Sequence, residues 1–185
     1  HQNVWRYEGR VRPLLEDAGD NRESIVTAWQ KLIPNRRVGL RFLIENMPES
    51  DLQSLSTDFL LEHVNGAYDA FEGAVWSKQI PEDVFLNGIL PYANVSERRD
   101  AWRSDFRNRF TPVVAGIQTP GEAAAKLNQT VFSTFDVRYS TKRKRADQSP
   151  YESIETHTAS CTGLSILLID ACRSVGVPAR FVGTP

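Results

Sequence analysis

The 185-residue sequence predicts an α+β fold that is predominantly α-helical. Apolar residues recur at three- and four-residue spacing through the first 135 positions, and prolines punctuate the run. Near Phe135 the pattern changes to the alternation Val137-Arg138-Tyr139, which suits a brief strand. From Leu164 to Val175 the chain is apolar nearly all round a helical wheel, the mark of a buried helix. The expected organisation is a helical N-terminal region over 1–135 and a short α+β segment over 136–185.

Taken in order, Trp5 to Ala18 reads as a first helix closed by Gly19, with Pro13 as a possible break. Asp20 or Asn21 caps a second, whose Ile25, Ala28, Trp29 and Leu32 share a face before Pro34. A third runs from Arg36 to Asn46 and stops at Met47-Pro48. The longest begins at Ser50 and carries Leu52, Leu55, Phe59, Leu60, Val64, Ala67, Phe71 and Val75. Its His63 reads as a structural or exposed residue of that helix. Pro81 to Leu90 suits a short helix with proline in its first turn, and Ser96 is expected to cap another reaching Phe110. Thr119-Pro120-Gly121-Glu122 opens a helix bearing Ala123, Ala124, Leu127 and Val131. Thr141 to Pro150 reads as a polar loop.

Composition narrows the function. With 22 Lys+Arg against 23 Asp+Glu, the chain lacks the broad basic field of a nucleic-acid binder. The one basic run, Lys142-Arg143-Lys144-Arg145, has no interleaved aromatics and reads as a solvated loop. No apolar run approaches the roughly 20 residues that cross a bilayer. The first residues do not resemble a signal peptide, although an exported or cell-envelope protein after signal removal would look the same. Cys161 and Cys172, on one helix, would be separated by about 16 Å of rise, beyond disulfide reach. Two cysteines without a CxxC and three scattered histidines give no zinc pattern, and no cofactor is implied. The sequons Asn94-Val95-Ser96 and Asn128-Gln129-Thr130 carry no weight by themselves.

The stretch from Ser160 to Gly183 carries the chemistry. Ser160 is a natural N-cap, which places Cys161 in the first turn of the buried helix. Gly176 sits where a left-handed C-cap belongs, Pro178 forbids continuation, and Ala179 to Val182 reads as a short strand. Thiolate is the reactive form of cysteine, and the positive end of a helix favours an anion. First-turn N–H groups also suit an oxyanion formed when a thiolate attacks a carbonyl. A cysteine at a helix start is nonetheless often an inert packing residue.

A cysteine, a buried helix to Val175, then Gly176-Val177-Pro178-Ala179-Arg180 and a strand resemble the core of the transglutaminase-like superfamily, papain-related cysteine enzymes. Leu90-Pro91-Tyr92, Trp102-Arg103 and Ser149-Pro150 more loosely resemble bacterial members with a helical region before that core. The resemblance implies that Cys161 is the nucleophile and that 136–185 opens the core. It implies acyl transfer through a thioester, acting on peptide or protein amides by hydrolysis or by transfer to an amine. The family's histidine and aspartate follow the Gly-Val-Pro-Ala-Arg turn, and this sequence ends at Pro185 ahead of both. The chain alone is therefore expected to be an inactive fragment, with a partner chain or a C-terminal segment covering the core. His157 reads as an incidental loop histidine, and Cys172 as a small core residue. The rival readings are a binding or scaffold module with a degenerate core, and a helical partner-binding domain in which Cys161 only packs.

Overall fold

A computed structural model describes residues 14–183. Predominantly α-helical α+β structure is what it shows, with two short strands among the described residues. The chain divides into two compact units, His1–Asn65 and Gly66–Pro185.

In the first unit, α1 is Arg22–Lys31, α2 is Arg37–Asn46 and α3 is Glu49–Leu52, while α4, Thr57–Gly73, begins here and runs on past Gly66. Most of the helix expected over Trp5 to Ala18 lies outside the described residues; positions 14–17 are helical. Asn21 precedes α1 but does not cap it through its side chain. Its amide instead donates to Leu52 O and Leu55 O, at 2.8 and 2.9 Å. Those bonds explain a correction. The single helix expected from Ser50 to Val75 is two, because Asn21 takes up carbonyls at the break and Ser56 Oγ accepts from Phe59 N (3.2 Å) to start α4. His63 is fully buried, its ring 4.3 Å from that of Phe59 one turn earlier.

The second unit contains α5 (Glu82–Gly88), α6 (Arg103–Phe110), α7 (Pro120–Thr134), β1 (Arg138–Tyr139), α8 (Pro150–Thr156), β2 (Thr158–Ala159) and α9 (Cys161–Ser174). The strands pair in parallel, Arg138 opposite Thr158 and Tyr139 opposite Ala159. Helix α9 packs against α6, α7 and α8. The core between them is rich in aromatic and branched residues: Trp102, Phe106, Phe110, Leu127, Val131, Phe135, Leu167 and Val175. Phe106 stands at the centre, with ring neighbours Phe110, Phe135 and Tyr151 at 5.1–6.4 Å.

Four expectations need correction here. The helix ending at Phe110 starts at Arg103, not Ser96. Over 94–100 the acidic side chains hold a loop instead: Glu97 accepts from the N–H groups of Asn94 (2.6 Å) and Val95 (2.8 Å), and Asp100 from that of Tyr151 (2.9 Å). Ser96 Oγ donates to Asp147 rather than capping a helix. Secondly, the loop expected through Pro150 gives way at that residue to α8, built on a full capping box, Ser149 with Glu152. Thirdly, the loop that holds His157 is that one exposed turn residue, the left-handed C-cap of α8 at φ 56° just before β2. Lastly, Ala179 to Val182 is not a strand. There the Ala179 N–H is bonded to Gly88 O at 2.9 Å, the C-terminal end of a helix, rather than to a ladder.

Candidate active site

Helix α9 begins at Cys161, with Ser160 in extended conformation as its N-cap. Ser160 Oγ accepts from Gly163 N at 3.0 Å and itself donates to Ala146 O. Leu164 N is bonded to Ser160 O at 2.9 Å. The first-turn N–H groups of Cys161 and Thr162 thus remain for an incoming acceptor. Cys161 is exposed although most of the rest of α9 is buried. It opens onto a depression that it lines with Thr162, Ser165, Leu168, Ile169, Arg180 and Phe181.

Both ends of α9 are fixed. At its start, Gly163 lies so close to Ala159 that an added Cβ would approach the alanine methyl to 3.1 Å, which seats the helix directly on β2. At its end, Gly176 adopts φ 78° and leaves no space for a side chain, since a Cβ would fall 2.6 Å from Ala70 O. Trp76 Nε1 donates to Gly176 O at 2.8 Å. The Gly176 to Arg180 turn is therefore held by close packing, with Pro178 against Gly88, together with hydrogen bonds to its backbone.

Two buried arginines, which sequence reasoning did not single out as core residues, tie α9 to the segment before α6. Arg103 Nη2 donates to Ile89 O, Leu90 O and Pro91 O at 3.0–3.1 Å. Arg173 donates to Gly88 O, Ala179 O, Pro91 O and Ala93 O at 3.0–3.3 Å. Trp102 Nε1 donates to Tyr92 O. The short motifs Leu90-Pro91-Tyr92 and Trp102-Arg103 are thus two sides of one hydrogen-bonded joint.

Asp170 belongs to the same interior. Asn94 Nδ2 donates to its Oδ1 at 3.0 Å, and its Oδ2 has no partner among the described residues. Burial pushes the Asp170 carboxyl up to about 8, against the opposing pull of Arg173 and the Asn94 bond. Arg173 stands 3.9 Å away with its N–H groups occupied by carbonyls and offsets only part of the desolvation. An acid raised this way stabilises the fold below the unfolded value, near 4, and loses that contribution as pH rises towards 8. We expect unfolding free energy to fall across that window, by on the order of 1 kcal/mol per pH unit, and the slope to flatten in Asp170→Asn. Urea titrations between pH 5 and 9 (about that range) test this; a parallel slope in the variant would show that Asp170 is not the group.

None of the other sequence candidates lines the depression beside Cys161. His157 Nδ1 lies 3.2 Å from Asp136 O and 3.8 Å from Asp136 Oδ2. His63 belongs to the first unit. Cys172 is buried mid-helix, and desolvation pushes its thiol up to about 12. Both cysteines are free thiols. No cluster able to hold a metal ion occurs among the described residues.

Residues 107–185 match the family model of the transglutaminase-like superfamily. Over this C-terminal stretch, less than half of the chain, the sequence is similar to that superfamily. The match takes in the last turn of α6 and all of α7, α8 and α9. No curated protein and no solved structure matches the chain. No helix among the described residues is long and apolar enough to cross a membrane.

Proposed function

We propose that the chain carries the nucleophile segment of a cysteine enzyme that cleaves or transfers peptide or protein amides through a thioester on Cys161. One observation carries the reading: within the transglutaminase-like segment, the first residue of an otherwise buried helix is an exposed cysteine. The sulfur, as thiolate, attacks the amide carbonyl carbon and the carbonyl oxygen takes up the negative charge. The N–H groups of Cys161 and Thr162 are placed to receive that charge. Collapse of the adduct breaks the C–N bond, the amine leaves with a proton from the general acid, and water or a second amine attacks the thioester.

In this reading neither His63 nor His157 is the base. That role belongs to the family's histidine, oriented by its aspartate, following the turn at Gly176 to Arg180. Within the second unit, α6, α7 and α8 pack against the helix that presents Cys161. Amine release from a peptide amide tests the proposal, using a polypeptide that includes that His and Asp. In the longer polypeptide Cys161→Ala should lower turnover by roughly three orders of magnitude or more. Cys172→Ala should keep turnover and cost on the order of 1 kcal/mol of stability. Turnover that survives Cys161→Ala places the chemistry elsewhere; folded protein without turnover favours a binding or scaffold role.

A further inference from the structure

We infer that the loop Lys142-Arg143-Lys144 selects the substrate of Cys161, favouring peptides with acidic residues beside the reacting amide; this rests on the thioester reading above. Both ends of the loop are fastened to the two residues before the nucleophile. Ser140 N donates to Ala159 O at 2.9 Å, and Ala146 O accepts from Ser160 Oγ. Between those points every residue lies within about three positions of an anchor, at most about 10 Å of extended chain. The basic run is therefore built onto the rim of the helix start that exposes Cys161.

Its charges are available. Lys142 and Lys144 are exposed, Arg143 is half-buried, and none enters an ion pair among the described residues. Arg145 differs, since it faces Glu152 at 2.8 Å and Asp147 at 3.8 Å. The nearby acids are already engaged: Asp136 with Arg138, and Asp147 with Ser96. Arg180, also exposed, lines the depression into which Cys161 opens. An extended peptide entering that depression meets unpaired positive charge, and carboxylates on it are attracted without displacing a partner. A nucleic acid fits less well, because three cations on a chain of net charge −1 release few counterions.

The test compares two iodoacetyl peptides of equal length, one rich in Glu and one rich in Lys, as alkylators of Cys161. Each rate is divided by that of iodoacetamide on the same protein, so the intrinsic reactivity of the thiol cancels. The acidic peptide should label about tenfold faster at low salt, and the preference should shrink as NaCl rises from about 0.03 to about 0.5 M. In the triple variant Lys142→Gln, Arg143→Gln, Lys144→Gln it should largely vanish. Anisotropy with the acetyl forms of the same peptides reads the loop without the thiol, and so separates failure of this inference from failure of Cys161 as nucleophile. Equal handling of the two peptides by wild type, or a preference that the triple variant retains, overturns the proposal. So does tighter binding of a single-stranded oligonucleotide than of the acidic peptide.

Discussion

Treated with iodoacetamide in its native state, the chain should gain one carbamidomethyl group, on Cys161, and none on Cys172. The two thiols share a helix but not an environment. Cys161 is exposed at the helix start, whereas Cys172 is buried among the core residues of the second unit. With its thiol pushed up to about 12 by burial, Cys172 stays protonated near neutral pH, and the reagent must also reach it. Its modification should therefore track opening of the core and rise steeply only in denaturant, when both cysteines react. Intact mass and peptide mapping over time distinguish the two. Prompt native-state labelling at Cys172 would mean that α9 is not buried as described. A Cys161 that stays unlabelled while unfolded protein reacts at both positions would remove the accessible nucleophile on which the proposed function depends.

Helix α9 is the most legible part of the sequence because several local signals agree along it. Ser160 offers a cap, the interior is apolar, and Gly176 with Pro178 ends it; the structure uses each of them. Thr119-Pro120 was legible for the same reason, with Thr119 Oγ1 accepting from Glu122 N at the start of α7. Where polar side chains serve the backbone of another element, the local reading failed. Asn21 looks like a cap and is a brace for Leu52 and Leu55. Glu97 and Asp100 resemble the polar face of a helix but organise a loop. Arg103 and Arg173 look like surface residues in sequence, and only the three-dimensional path brings the carbonyls of 88–93 to them. The capping box at Ser149 and Glu152 is written in the sequence, but the helix it starts has seven residues, too few to show an apolar stripe. Strand β2 has two residues, too few to show alternation.

Replacing Arg173 by Met should cost roughly 3–5 kcal/mol, a lowering of Tm by about 10 °C in a chain of this size. The residue is 2% exposed, and four carbonyl oxygens converge on its side chain: Gly88, Pro91, Ala93 and Ala179. Methionine fills similar volume and donates nothing, so these acceptors lose their donors in a region that admits little water. Lysine at 173 should be only partly better, because one ammonium cannot reproduce a planar fork reaching four oxygens. Arg145→Met supplies the contrast. Arg145 is a partly exposed partner of Glu152, and its loss should cost under about 1 kcal/mol. The joint also contains Asp170, whose carboxyl is drawn towards its ionised form by Arg173. Without that guanidinium the carboxyl is left with the full desolvation cost, so adding Asp170→Asn to Arg173→Met should lose less stability than the two single changes together. Urea midpoints of the four proteins, wild type included, complete the cycle. A loss near 1 kcal/mol for Arg173→Met, or strict additivity with Asp170→Asn, would show that packing and not this polar joint fixes the end of the helix that presents Cys161.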